Sequence, residues 1–330
     1  MSEPPVPEIL RAGAEHEDAI LALATDALGW GTDERYRALF RWKHEENPFG
    51  RSPRWVALVD GRVAGFRTFL RWRFRRGDGT TASAVRAVDT ATHPDFQGQG
   101  IFRALTMGAV DQLTASGTDF IFNTPNDNSR PGYLKMGWIE LGRPPVAIAP
   151  RLRSLPRIKR SRTAADRWSL TDPVATSAAE FFADPANAAT ALDVGRFDER
   201  WRTDRSIEWC AWRYGLEPLN YRVITTGDLP HGGRLEPGAA VFRLRQRGDA
   251  VEATVVDLMA TGKTRRALVR GIRRASGADY ALVASDQRVD ATPAVSMPAF
   301  SPLVTWRALA TETPPTMDRF GFAVGDLELF

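Results

Sequence analysis

The sequence predicts an α/β (α+β) protein with two mixed, mostly antiparallel sheets flanked by helices, and three observations carry this expectation. Strand-like runs joined by hairpin turns lead into an amphipathic helix. The same strand, loop and helix order recurs in the second half. The 330 residues suit two domains of about 150 each.

Residues 8–12 read as a strand and 17–28 as a helix, whose Ile20, Leu21, Leu23, Ala24, Ala27 and Leu28 make one apolar face. Glu17 and Asp18 sit near that helix's positive end. A second helix over 33–44 stops before Asn47-Pro48. Strands follow at 55–60, 63–74 and 82–92, and Asp60-Gly61 and Gly77-Asp78-Gly79 are hairpin signals that make them antiparallel neighbours. Past Gly100, the spacing of Ile101, Leu105, Ala109, Val110 and Leu113 is helical. A short strand at 119–124, a short helix at 129–135 and a final strand at 138–149 complete the unit.

The second half repeats this plan. Trp42 is followed six residues later by Pro48, and Trp212 at the same offset by Pro218. Ala87-Val88-Asp89 closes a strand before a loop and helix, as Val255-Val256-Asp257 does. Strands at 221–225 and 239–245 echo the first hairpin. The expected organisation is a tandem duplication with domains at 1–150 and 151–330, joined between about Arg151 and Arg167.

Composition narrows the function classes. Hydrophobic residues at 43% and charged residues at 25% exclude wholesale disorder. No run of about eighteen apolar residues offers a transmembrane helix, and Met1-Ser2-Glu3-Pro4 starts nothing like a signal peptide. The one cysteine, Cys210, allows no internal disulfide and reads as a buried packing thiol in a cytoplasmic protein. Lysine and arginine total 44 against 40 acidic residues, yet only Lys43, Lys135, Lys159 and Lys263 are lysines. That skew reads as codon bias, so neither nucleic acid nor membrane is expected as a partner. The dense basic stretch Arg151, Arg153, Arg157, Lys159, Arg160, Arg162 and Arg167 reads as a solvated linker. His16, His44, His93 and His231 lack metal-ligand spacing, so no metal is expected. Trp30, Trp42, Trp55 and Trp72 read as core.

The most informative segment runs from Val88 through Gly98 and Gly100 to Leu105. A strand enters a glycine-bearing turn that opens directly into a helix. Helix N-termini present unpaired N–H groups and partial positive charge, so this arrangement suits a phosphate or pyrophosphate. Gly98 and Gly100 let the backbone approach the anion, and Arg103 adds a cation in the first turn.

Gln97-Gly98-Gln99-Gly100, after His93-Pro94-Asp95-Phe96, resembles the acyl-CoA pyrophosphate loop of the GNAT superfamily of N-acetyltransferases. Phe102 stands where the family pattern has Gly or Ala, so its ring must point away from the phosphates. Asn123-Thr124-Pro125-Asn126-Asp127-Asn128 and then Tyr133-Leu134-Lys135-Met136-Gly137-Trp138 resemble the family's closing strand and helix, with Trp138 in place of Phe. The resemblance implies splayed central strands, with backbone at Thr90, Ala91 and Thr92 pairing with the pantetheine arm. Gln97, Gly98, Gln99, Gly100, Ile101, Phe102 and Arg103 would hold the pyrophosphate, and Asn128 would contact the pantetheine.

The implied activity is acyl-CoA-dependent N-acyl transfer, foremost of acetyl from acetyl-CoA to a primary amine of a small molecule. Tyr133 falls at the family's acid position, protonating the departing thiolate. Asp89 is the assigned base, with Asp127, His44, Glu45 or an ordered water as other candidates. The oligomeric expectation is a monomer or homodimer.

The second half lacks this loop: Asp257-Leu258-Met259-Ala260-Thr261-Gly262-Lys263-Thr264 has no paired glycines. Gly262-Lys263-Thr264 is no ATP loop either, because Asp257 occupies the position of the first glycine that motif needs. The expectation is a degenerate copy with an acceptor-cleft or structural role. That tandem layout also resembles FemABX-type transferases, which leaves an aminoacyl-tRNA donor as one alternative and a non-catalytic acyl-CoA sensor as another.

Overall fold

The protein, described as a computed structural model, is defined over residues 7–171, 174–193, 199–230, 233, 235–285, 295–296, 301–310 and 315–328. Local signals set the first elements. β1 (Glu8–Arg11) pairs antiparallel with β2 (Arg54–Val59). Between them lie α1 (Glu17–Leu28), closed by Gly29 in the left-handed region, and α2 (Glu34–His44), whose N-cap Asp33 accepts from Arg35 N–H. β3 (Arg62–Arg75) and β4 (Thr81–Thr92) extend the antiparallel ladder. The Asp60-Gly61 turn has φ of 49° and 76°, which the twist of a two-residue hairpin requires.

α3 (Ile101–Ala115) crosses back so that β5 (Phe120–Asn123) runs parallel to β4. Gly65 on β3 allows this helix to approach closely, since a Cβ there would meet Ile101 Cγ2 at 2.7 Å. Trp55, Phe69, Val85, Leu105, Ile121, Tyr133 and Trp138 form the core between sheet and helix. α4 (Arg130–Lys135) and β6 (Ile139–Gly142) follow.

The strand expected at 138–149 is in fact two strands, β6 and β7 (Val146–Pro150), in different sheets. Gly142 at φ 126° and Pro144-Pro145 interrupt it, because proline has no N–H to give a ladder. One compact unit accordingly draws on Met1–Arg75, Thr81–Gly142 and Leu303–Thr316, and the other on Arg76–Thr80, Arg143–Pro302 and Met317–Phe330.

The second unit opens with α5 (Leu155–Arg160), so the basic stretch is not a free linker. Arg157 Nη1 reaches Asp279 Oδ1 at 3.0 Å, and Asp166 N–H donates to Gln246 O. Helices α6 (Ala178–Ala183), α7 (Pro185–Asp193) and α8 (Ile207–Gly215) precede β8 (Arg222–Thr225), β9 (Ala239–Arg247) and β10 (Ala250–Met259). α9 (Gly262–Ser276) then leads to β11 (Tyr280–Ala284), parallel to β10. β12 (Val304–Ala308) and α10 (Val324–Leu327) are the last named elements.

β8-β9-β10-α9-β11 therefore repeats β2-β3-β4-α3-β5, with one parallel pair in each sheet. The first sheet orders β1-β2-β3-β4-β5-β12-β6. The second sheet orders β7-β11-β10-β9-β8, with short edge strands Val295–Ser296 beside β7 and Thr176–Ser177 beside β8. The strand next to each parallel pair thus comes from the other half of the sequence: β12 beside β5, and β7 beside β11.

Candidate active site

β4 pairs with β5 only from Ala84 to Arg86. Beyond Arg86, β4 continues to Thr92 beside β3, and among the described residues no strand meets its other edge at Thr90, Ala91 and Thr92. A bulge helps to part the strands: Thr68 faces Val88 and Arg67 faces Thr90, which leaves Asp89 as the extra residue at φ 40°. The free edge leads through the one-turn helix Pro94–Phe96 to the exposed stretch Gln97, Gly98, Gln99 and Gly100.

Gly98 and Gly100 have φ of 77° and 78°, and no atom would crowd a Cβ on either within 4 Å. The backbone turns there because glycine tolerates the left-handed region, and the space beside it is open. Gly100 caps α3 without any side chain, so the N–H groups of its first turn carry no cap. Arg103 is exposed on that turn, Ile101 points into the core, and Asn128 is exposed just before α4.

Phe102 turns inward. Its ring meets Tyr133 edge-on at 5.3 Å and packs on Gly132, where a Cβ would lie 3.1 Å from Phe102 Cε1. The bulk of Phe102 is thus accommodated by a glycine one helix away. Tyr133 is 3% exposed, wedged between Phe102 and Trp138. Its hydroxyl oxygen accepts a hydrogen bond of 2.6 Å from Arg67 Nη2. Arg67 was not singled out in the sequence, because it is one of several arginines along β3.

Asp89, the base assigned from sequence, lies in a closed ionic cluster. Its Oδ2 is 2.5 Å from Lys43 Nζ and 2.9 Å from His44 Nε2. His44 Nδ1 in turn lies 2.9 Å from Ser52 Oγ. Burial by itself would push the Asp89 carboxyl up; the Lys43 charge and the His44 hydrogen bond outweigh it and hold the group well below the usual carboxylate range. Burial pushes His44 down, against the pull of Asp89, so the imidazole is neutral with Nε2–H donating. Among the other base candidates, Glu45 pairs with Arg54 and Arg51, and Asp127 is exposed in the turn after β5.

The second unit has a similar hairpin, bulged at Val256 beside Asp257, and a different filling. Asp257 Oδ2 accepts from Tyr214 O–H at 3.0 Å and Arg205 Nε at 2.5 Å. Tyr214 stands two residues after Trp212, as His44 stands two after Trp42, so the aspartate and its helix partner are shared between copies. β10 also leaves β11 after Thr254. Here α10 packs on β10, and a Cβ on Gly325 would meet Val256 O at 3.0 Å. The cavity bounded by Val255–Leu258, Val283–Ser285 and Phe320–Val324 has a volume of about 60 Å³, room for a few waters.

Among the described residues, no group of three or more His, Cys, Asp or Glu gathers as cation ligands, and His231 lies outside them. Cys210 is fully buried, and burial pushes its thiol far up. Trp30, Trp42, Trp55 and Trp72 are all core.

In the first unit, then, a parallel pair parts ahead of an open glycine turn at a helix start. Residues 8–140 match the family model described as an acetyltransferase (GNAT) domain. That match makes residues 8–140 similar to a GNAT acetyltransferase domain. Solved structures extend the fold likeness to 92% of the chain. A probable N-acyltransferase of Enterococcus faecalis V583 aligns at TM-score 0.65 and 12% identity, over 73% of its own chain. A GCN5-related N-acetyltransferase from Anabaena variabilis aligns over 92% of this chain and 73% of its own, at TM-score 0.64 and 12% identity. Eis1 from Mycobacterium abscessus aligns over 92% of this chain and 74% of its own, at TM-score 0.53 and 16% identity. No curated protein matches the sequence.

Proposed function

We propose that the protein is an acyl-CoA-dependent N-acyltransferase, transferring acetyl to a primary amine of a small molecule. The observation that carries this reading is the unpaired edge of β4, which runs into the open Gly98 and Gly100 turn at the start of α3, with Tyr133 on the helix-covered face. The edge suits a pantetheine amide at Thr90, Ala91 and Thr92. The turn, from Gln97 to Arg103, suits a pyrophosphate. Asn128 is assigned to the pantetheine arm as well.

In the transfer, the amine lone pair attacks the thioester carbonyl carbon. The C–N bond forms, the C–S bond breaks, and the thiolate takes the Tyr133 hydroxyl proton. The amine proton leaves to water, and water returns a proton to Tyr133. We read Asp89 as holding the bulge of β4 in place: Lys43 and His44 already occupy its carboxylate, which makes it a weak proton acceptor. The second unit is assigned a structural part. The cytoplasmic setting rests on the lone, buried Cys210.

The decisive measurement is thiol release from acetyl-CoA across a panel of primary amines. Turnover is expected; binding without turnover would favour an acyl-CoA sensor, and absence of binding would overturn the reading. An aminoacyl-tRNA donor is disfavoured by the open phosphate turn, which such a donor does not need. Tyr133→Phe is expected to lower kcat about 100-fold with donor affinity kept, by the usual size of an acid's contribution.

A further inference from the structure

Arg67 is fully buried and, among the described residues, has no carboxylate partner. Its Nε and Nη1 carry no hydrogen bond, and its guanidinium lies 4.8 Å, 5.6 Å and 5.2 Å from the rings of Phe69, Phe102 and Tyr133. Its one hydrogen bond goes from Nη2 to the Tyr133 oxygen. A buried cation without an anion is costly, so a fold that keeps one uses it for something other than stability.

Several other buried arginines meet carboxylates, Arg54 pairing with Glu45 in the same unit. Arg205 meets Asp257 and Asp326, and Arg213 and Arg243 both meet Glu328. Aligning the two hairpins by their aspartates or by their bulges sets Ala240 or Val241 opposite Arg67. The copy that lacks the glycine turn therefore lacks this arginine too.

We infer that Arg67 is a positioning residue for the acyl-transfer step, acting through Tyr133. Its Nη2 fixes the phenol oxygen as an acceptor, so the phenol's own proton is the one left to give. When that proton passes to the departing sulfur, negative charge develops on the oxygen beside a guanidinium that is already in place. The three rings hold the guanidinium plane and exclude water from it. Protons balance as above: the thiolate gains one from Tyr133, and water restores it with the one the amine released.

This inference rests on Tyr133 being the acid, and the experiment separates the two. Acetyl-CoA turnover is measured for the full chain and for Tyr133→Phe, Arg67→Met, Arg67→Lys and the double variant Arg67→Met/Tyr133→Phe. Arg67→Met is expected to lower kcat roughly tenfold or more with the donor KM within about twofold, and Arg67→Lys to recover part of it. The double variant is expected to be no slower than Tyr133→Phe alone, since both changes disable one unit. Losses that multiply in the double variant, or an Arg67→Met enzyme as fast as the parent while Tyr133→Phe is impaired, would overturn the positioning role. Full turnover in Tyr133→Phe would instead remove the acid assignment and this inference with it. If Arg67→Met does not fold, the arginine side-chain nitrogen resonances of the parent and Tyr133→Phe serve instead. A shifted Arg67 signal is expected, and an unchanged one overturns the pair.

Discussion

Two buried arginines on corresponding strands show how the copies have diverged. Arg243 on β9 is 0% exposed and donates from Nε to Glu328 Oε1 at 2.7 Å. Arg67 on β3 is equally buried and donates to the Tyr133 hydroxyl oxygen. The second unit has turned its charge inward into closed ion pairs and placed its own α10 against the free edge of β10. The first unit leaves the edge of β4 and the glycine turn open, and gives the Arg67 guanidinium a hydroxyl in place of a carboxylate. Unsatisfied groups in a well-packed fold mark where a ligand is expected, and satisfied ones mark where a site has closed.

The sharpest test of that contrast is to open the closed side. Glu328 sits among Arg213, Arg243 and the Tyr221 hydroxyl, which together hold its carboxyl low against burial. Glu328→Gln is expected to destabilise the protein by about 3–5 kcal/mol, because it strands two buried guanidinium groups. Urea unfolding measures this; a loss under about 1 kcal/mol would show that the cluster is not structural.

A matched pair of glycine replacements comes next. Gly100 and Gly262 both open a helix at positive φ, 78° and 47°. Valine at either should cost about 1–2 kcal/mol of backbone strain. Only Gly100→Val is expected to lower kcat/KM for the acyl donor, about 100-fold, because it displaces the turn. Equal kinetic losses at both sites would erase the functional asymmetry.

Acid sensitivity separates the units more gently. Burial depresses the His44 pKa below 6.5, so on acidification the unfolded chain takes up that proton first. Stability should fall as the pH drops below roughly 6.5, and His44→Gln should flatten that slope. Glu252 in the second unit is held at about 2 by Arg245 and Arg247 despite burial. Its contribution is present above the unfolded value of 4.5 and is lost only as pH drops toward 2. Denaturant melts at pH 7.5, 5.5 and 4 distinguish the windows. The smallest effect is expected at Cys210, whose buried thiol should stay unlabelled by a disulfide reagent until the chain unfolds.

Much of the candidate site was legible because its parts are contiguous. The run from Thr90 to Arg103 encodes strand, turn and helix start in one stretch, and Tyr133 follows a local helix signal. Arg67 was not legible. β3 carries Arg62, Arg67, Arg71, Arg73 and Arg75, and nothing in their spacing tells which is covered on both faces. The ends of the strand alternate as expected, with Trp72 and Phe74 buried and Arg73 and Arg75 exposed, while residues 64–70 are buried throughout. Lys43 was equally hidden, since its partner Asp89 lies on a strand far along the chain.

By itself the sequence determined the helices and hairpins of the first half, the recurring strand, loop and helix order, and the glycine turn. Each of these follows from periodicity, glycine conformation or capping within a few residues. Only the tertiary structure decided that β12 completes the first sheet and β7 the second, and that Arg67 meets Tyr133 instead of a carboxylate. Strand partners and buried charges are chosen by groups distant in sequence, whose burial and pairing energies no local pattern records.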